Sequence, residues 1–125
     1  MIKVSFDFDN TLSRKDVQEY AIELINRKVD VWVCTSRTSD PYKLNNDDLF
    51  KIADEIGISR SSIIFTGYEN KSDHLNDKEF LWHLDDDVIE LSFIKTDSDV
   101  VPVSIYKNEN WKLECESYLR LLSSY

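Results

Sequence analysis

The sequence predicts an α/β domain in which a mainly parallel sheet is packed between two layers of helices. Two observations predict it. Short runs rich in β-branched and aromatic residues alternate with segments whose apolar residues recur at helical spacing. That order builds βαβ units, and so a parallel sheet with helices on both faces. The residues best suited to chemistry, Asp7, Asp9, Thr35, Asp85 and Asp86, stand where separate predicted strands end. Sheets of this kind bind ligands at that edge.

The first strand is expected over Met1 to Phe6, an apolar-rich run that ends abruptly in Asp7-Phe8-Asp9-Asn10-Thr11. Ser13 followed by Asp16 resembles a capping box, and Val17, Tyr20, Ala21, Leu24 and Ile25 continue a helix to about Lys28. Val29 to Cys34 reads as a second strand with Thr35, Ser36 and Arg37 just past its end. The polar stretch Thr38 to Asn46, containing Pro41, reads as a loop; Leu49, Ile52, Ala53 and Ile56 mark a helix stopped by Gly57. A third strand follows at Ser62 to Phe65, with Thr66 and Gly67 turning the chain into a short helix from Lys71 to Lys78. Phe80 to Leu84 is the fourth strand, ending in Asp85, Asp86 and Asp87. Val88 to Phe93 reads as short helical or irregular structure and Val100 to Tyr106 as the fifth strand. Trp111, Cys115, Tyr118, Leu119 and Leu122 line a closing helix.

The 125 residues suit one domain spanning the whole sequence, with no linker and no repeat. A hydrophobic fraction of 42% with 12% aromatic residues is too high for a disordered chain, and a mean hydropathy of -0.42 excludes a membrane protein. No stretch approaches the about 20 apolar residues that a spanning helix needs, and no secretory leader precedes Asp7, so the expected address is cytoplasmic. Cys34 and Cys115 have no zinc-type spacing and are expected as reduced, buried or half-buried thiols. A net charge of -9, from 24 acids and 15 bases, opposes tight sequence-independent binding of nucleic acid. Part of the acid excess lies in the clusters at 7–9 and 85–87, and carboxylates converging from both would demand a divalent cation.

Four segments in order carry the chemistry: Val4-Ser5-Phe6-Asp7-Phe8-Asp9-Asn10-Thr11, then Val33-Cys34-Thr35-Ser36-Arg37, then Asn70-Lys71-Ser72-Asp73, then Trp82-His83-Leu84-Asp85-Asp86-Asp87. This order resembles the haloacid dehalogenase superfamily of phosphatases and phosphotransferases. Its four motifs are a D-x-D-x-T after a strand, a Thr or Ser after a second strand, a Lys, and an Asp pair after a later strand. The resemblance implies a Rossmann-like core and magnesium-dependent hydrolysis of a phosphomonoester. It makes Asp7 the nucleophile that forms an aspartyl-phosphate and ligates Mg2+. It makes Asp9 the acid and base, with its backbone carbonyl a further metal ligand. Thr35, or Ser36 in its role, would bind a phosphoryl oxygen with help from backbone N–H groups of the loop, Lys71 would neutralise transition-state charge, and Asp85 and Asp86 would complete the metal shell, with Asp87 leaving the register of that pair open. Arg37 would contact a substrate phosphate or sugar, or serve in a structural ion pair. The residue types fit that chemistry, since a carboxylate attacks a phosphate dianion only beside a cation. His74 and His83 are read as surface or packing histidines with no role.

Family members choose substrates with cap domains, for which residues 12–34 and 36–70 leave no room beyond core elements. An open site implies a bulky substrate, a partner subunit acting as lid in a homo-oligomer, or a short lid at Arg37 to Asn46. The substrate is expected to be a nucleotide, a sugar phosphate or a phosphorylated polynucleotide end. A receiver-type signalling domain is disfavoured by the motif order, and an acidic mimic of nucleic acid by acids gathered at strand ends. A catalytically silent domain of the same fold, acting as a binding or regulatory module, is the alternative.

Overall fold

The structure, a computed structural model, describes residues 1–123. Five strands form one all-parallel sheet: β1 (Lys3–Phe6), β2 (Asp30–Thr35), β3 (Ile63–Phe65), β4 (Phe80–Asp85) and β5 (Val101–Ser104), in spatial order β3-β2-β1-β4-β5. The helices are α1 (Lys15–Asn26), α2 (Asp47–Ile56), α3 (Lys71–Leu75), α4 (Val88–Asp97) and α5 (Trp111–Ser123). The result is a Rossmann-like three-layer sandwich. Among the described residues no helix is long and apolar enough to cross a membrane.

Strand alternation divides the core in two. On one face Val4, Phe6, Val31, Val33, Trp82 and Leu84 pack under α1, α2 and α5; on the other Cys34 and Phe80 pack under Leu75 of α3 and Leu91 and Ile94 of α4. Trp82 is the largest fully buried side chain, with Phe6 edge-on at 5.3 Å and Tyr20 stacked at 6.5 Å. Trp82→Ala should therefore cost about 3–5 kcal/mol of unfolding free energy, the range for large aromatic truncations in cores. Trp82→Phe should recover most of it, because the indole N–H has no hydrogen-bond partner among the described residues. Denaturant titration of both variants checks this, and equal losses would contradict it.

One irregularity matters for function. Lys3 pairs with Phe80 but Ser5 pairs with His83, so β4 carries an extra residue against β1. Such a bulge rephases the strand. Phe80 faces α3 and α4, and after the bulge so do His83 and Asp85, opposite Ser5 of β1 and Asp7 just past its end.

Several local expectations are corrected. Ser13 does not cap α1; its Oγ accepts the Asn10 N–H, and the helix begins at Lys15, after Arg14. Residues 88–97 form a full helix, capped by Asp87, whose Oδ1 accepts the Ile89 and Glu90 N–H groups. Val88, Ile89 and Phe93 are exposed, which hides its amphipathic pattern. α3 stops at Leu75, β3 begins after Ser62, and β5 is shorter at both ends than expected. Leu122 is exposed, not a core residue, and the last two residues, 124 and 125, lie outside the described ones. Gly57 does end α2, at φ 100°, a left-handed position. Both cysteines are free and buried, and burial pushes the Cys34 thiol up to about 12.

Candidate active site

In the sheet, β1 to β3 step outward on one side and β4 and β5 lie on the other, so the order reverses between β1 and β4. Crevices at the carboxyl ends of strands form at such reversals. Asp7 follows β1, its N–H donating to the Leu84 carbonyl at 2.9 Å, and Asp85 ends β4. Carboxylate oxygens of Asp7, Asp85 and Asp86 lie within 4.8 Å of one another. Asp87 is not among them, because it caps α4. The acid triplet thus divides into two residues at the cluster and one cap.

Lys71, at the first position of α3, lies between the two buried carboxylates. Its Nζ donates to Asp7 Oδ1 at 2.8 Å and Asp85 Oδ2 at 2.6 Å, with side-chain exposures of 2%, 7% and 0% for Lys71, Asp7 and Asp85. The Lys71 N–H donates to Glu90 Oε2, which ties the start of α3 to α4. Thr11 Oγ1 donates to Asp7 Oδ2 at 3.1 Å, so each Asp7 oxygen has a donor.

Thr35 is buried at the end of β2, inside the strand; its Oγ1 accepts the Arg37 N–H, leaving its hydroxyl hydrogen to donate elsewhere. Ser36 is half-buried, and its carbonyl accepts the Tyr68 N–H. Asp9 stands apart. Its carboxylate forms a two-pronged pair with Arg37, Oδ1 to Nη2 at 2.7 Å and Oδ2 to Nε at 3.0 Å. Arg37 also binds Asp48 of α2 and stacks 4.9 Å over the Phe8 ring. The structure therefore brings Asp7, Lys71, Asp85 and Asp86 together and holds Asp9 and Arg37 as a pair.

The residue that sequence reasoning missed is His83. It is fully buried, with Nε2 2.7 Å from Asp85 Oδ2 and Nδ1 2.8 Å from Ser5 Oγ. The available signal was spacing: Ser5 and His83 each precede an aspartate by two positions, which on a strand means the same face.

The charges follow from burial and these partners. Burial, reinforced by the Asp85 charge, raises the Asp7 carboxyl to about 8 despite Lys71. Burial also pushes Asp85 upward, but the His83 hydrogen bond and the charges facing it overcome this and hold Asp85 well below the usual carboxylate range. Burial works against the Lys71 ammonium, yet the two carboxylates raise it above the usual lysine range. Asp85 is thus the permanent anion and Asp7 the group short of positive charge. Three carboxylates against one ammonium, with oxygen donors alone, fit a hard divalent cation.

A pH dependence follows. A carboxyl whose folded pKa is raised stabilises the fold below its unfolded value, and that stability is lost as pH rises through the folded one. For Asp7 the window runs from about 4 to about 8. Without divalent cations the melting temperature should fall between pH 6 and 9, and millimolar Mg2+ should raise it more at pH 8.5 than at pH 6. Equal Mg2+ shifts at both pH values would show that Asp7 does not hold that proton.

In comparison with known proteins, the chain matches no family model, and no curated protein and no solved structure matches it significantly.

Proposed function

We propose that the protein is a magnesium-dependent phosphohydrolase of the kind the haloacid dehalogenase motifs imply, acting on a phosphomonoester through an aspartyl-phosphate at Asp7. The observation that supports it most is the convergence of Asp7, Asp85 and Asp86 within 4.8 Å around the Lys71 ammonium at the sheet's reversal point. Asp7, Asp85 and Asp86 would hold the ion. A bound magnesium ion supplies the positive charge that offsets repulsion between a carboxylate nucleophile and phosphoryl oxygens.

The chain's own groups do the rest. Lys71 and Thr11 fix both oxygens of Asp7, so the nucleophile is oriented before substrate arrives. The buried Thr35 hydroxyl can donate to a phosphoryl oxygen, and Lys71 can follow charge as it develops there. Asp9, one residue beyond the nucleophile's neighbour, protonates the leaving oxygen and then takes a proton from the attacking water. To do so it must leave Arg37, and a substrate phosphate is the natural replacement partner for that guanidinium. A groove of about 440 Å³, walled by Asn10, Tyr106 and Lys107, opens beside Asp86. A nucleotide, sugar phosphate or phosphorylated polynucleotide end remains the substrate class.

One observation favours a second reading, a catalytically silent binding or regulatory module: Arg37 occupies both oxygens of Asp9. Phosphate release from a panel of nucleotides, sugar phosphates and 3′- or 5′-phosphorylated oligonucleotides, with Mg2+ and with chelator, separates the two. Magnesium-dependent release from one class supports the enzyme. No release from a folded protein supports the module.

A further inference from the structure

Beneath the carboxylates lies a second polar layer that the proposed chemistry leaves unused. Ser5 and His83 face each other across β1 and β4, both at 0% exposure, one strand pleat below Asp7 and Asp85. A buried imidazole and hydroxyl are costly unless their hydrogen bonds are complete. For a neutral imidazole they are complete in one way. Asp85 collects donors, with Lys71 Nζ at 2.6 Å on Oδ2 and the Asp87 N–H at 3.0 Å on Oδ1, and an anion can only accept. His83 therefore carries its hydrogen on Nε2 and donates it to Oδ2, and Nδ1 accepts from the Ser5 hydroxyl. In the opposite tautomer two lone pairs would meet at 2.7 Å.

We infer that Ser5 and His83 are positioning residues for Asp85: the Ser5 hydroxyl holds the His83 ring through Nδ1, and His83 with Lys71 saturates Asp85 Oδ2 so that the carboxylate binds a cation through Oδ1. Each carboxylate oxygen offers about two acceptor sites. Oδ2 has both taken, by Lys71 and His83, and Oδ1 keeps one after accepting the Asp87 N–H. Asp85 is thereby pinned at both oxygens and cannot turn away from Asp7 and Asp86. The β4 bulge sets this up, because it places His83 and Asp85 on the same face as Ser5 and Asp7. An apolar pair at positions 5 and 83 would fill the space without doing any of this.

The inference rests on the metal-binding reading of Asp7, Asp85 and Asp86, and the test separates the two. Long-range ¹H–¹⁵N spectra of the metal-free protein report the His83 tautomer, and calorimetry reports Mg2+ affinity for the wild type, His83→Gln, His83→Leu and Ser5→Ala. The wild type should show Nε2–H with Nδ1 unprotonated. His83→Leu, which fills the space but donates nothing, should bind Mg2+ about 10- to 100-fold more weakly, the range for losing such outer partners. His83→Gln, which can present an amide N–H near the Nε2 position, should recover most of that loss. Ser5→Ala, which leaves Asp85 holding the Nε2 hydrogen but frees Nδ1, should keep the tautomer and fall between the two in affinity. A wild type with hydrogen on Nδ1, or a His83→Leu protein with wild-type Mg2+ affinity, overturns the inference and leaves the metal reading standing. A wild type that binds no Mg2+ overturns both. If His83→Leu fails to fold, Ser5→Ala decides: an unchanged Mg2+ affinity overturns the inference.

Discussion

Asp7→Asn should abolish phosphate release, lowering kcat on the order of 10⁴-fold or more, while the protein stays folded. An amide oxygen is too poor a nucleophile to open a path through an acyl phosphate. Of the other carboxylates, Asp85 is pinned by Lys71, His83 and the Asp87 N–H, and Asp9 is held by Arg37. The fold should survive because Asn is nearly isosteric and can still accept from Lys71 or Thr11. It also removes one of two buried carboxylates that compete for a single ammonium, leaving a one-to-one pair with Asp85. In metal-free buffer above pH 8 the variant should therefore melt at or above the wild-type temperature, and the Mg2+ stabilisation should shrink. Release assays beside thermal melts check both halves. Full turnover in the variant removes Asp7 as nucleophile; a variant that unfolds shows that Asp7 supports the fold in a way its burial and partners do not account for.

Much of this arrangement is legible in the sequence because strand ends are abrupt. The apolar runs before Asp7, Thr35 and Asp85 place those residues at the carboxyl edge of one sheet, and alternation with helices makes the sheet parallel. Other features are invisible there for physical reasons. The β4 bulge depends on pairing with β1, so simple alternation puts Phe80 on the face of Trp82 and Leu84, whereas it packs on the opposite one with α3 and α4. Three consecutive aspartates look alike until α4 forms; then Asp87 takes the cap and only Asp85 and Asp86 reach Asp7. The Arg37 pair with Asp9 and Asp48 joins residues 9, 37 and 48, a long-range choice among many exposed acids. α4 itself is obscured by the exposed Val88, Ile89 and Phe93, which break the one-sided pattern that marks α2.

The dependence of the site on one lysine leads to an expected loss of stability as large as that of truncating Trp82. Lys71 is the only cation bonded to either Asp7 or Asp85 among the described residues, and all three side chains are nearly inaccessible to water. Removing one partner of a buried pair costs more than the pair contributes, because the remaining charge stays desolvated. Lys71→Met keeps the chain length and apolar stem but deletes the ammonium, so metal-free protein near pH 8 should lose about 3–5 kcal/mol. The loss should ease toward pH 5, where Asp7 can hold its proton and only Asp85 is left unpaired with a lysine. Mg2+ should restore part of it, since the same carboxylates that lack Lys71 would then face the cation. Denaturant unfolding at pH 5 and pH 8, each with and without Mg2+, reads all three effects. A Lys71→Met protein as stable as the wild type at pH 8 without metal would mean that water or a rearranged side chain reaches these carboxylates, and the dry, preorganised site proposed for phosphoryl transfer would have to be given up.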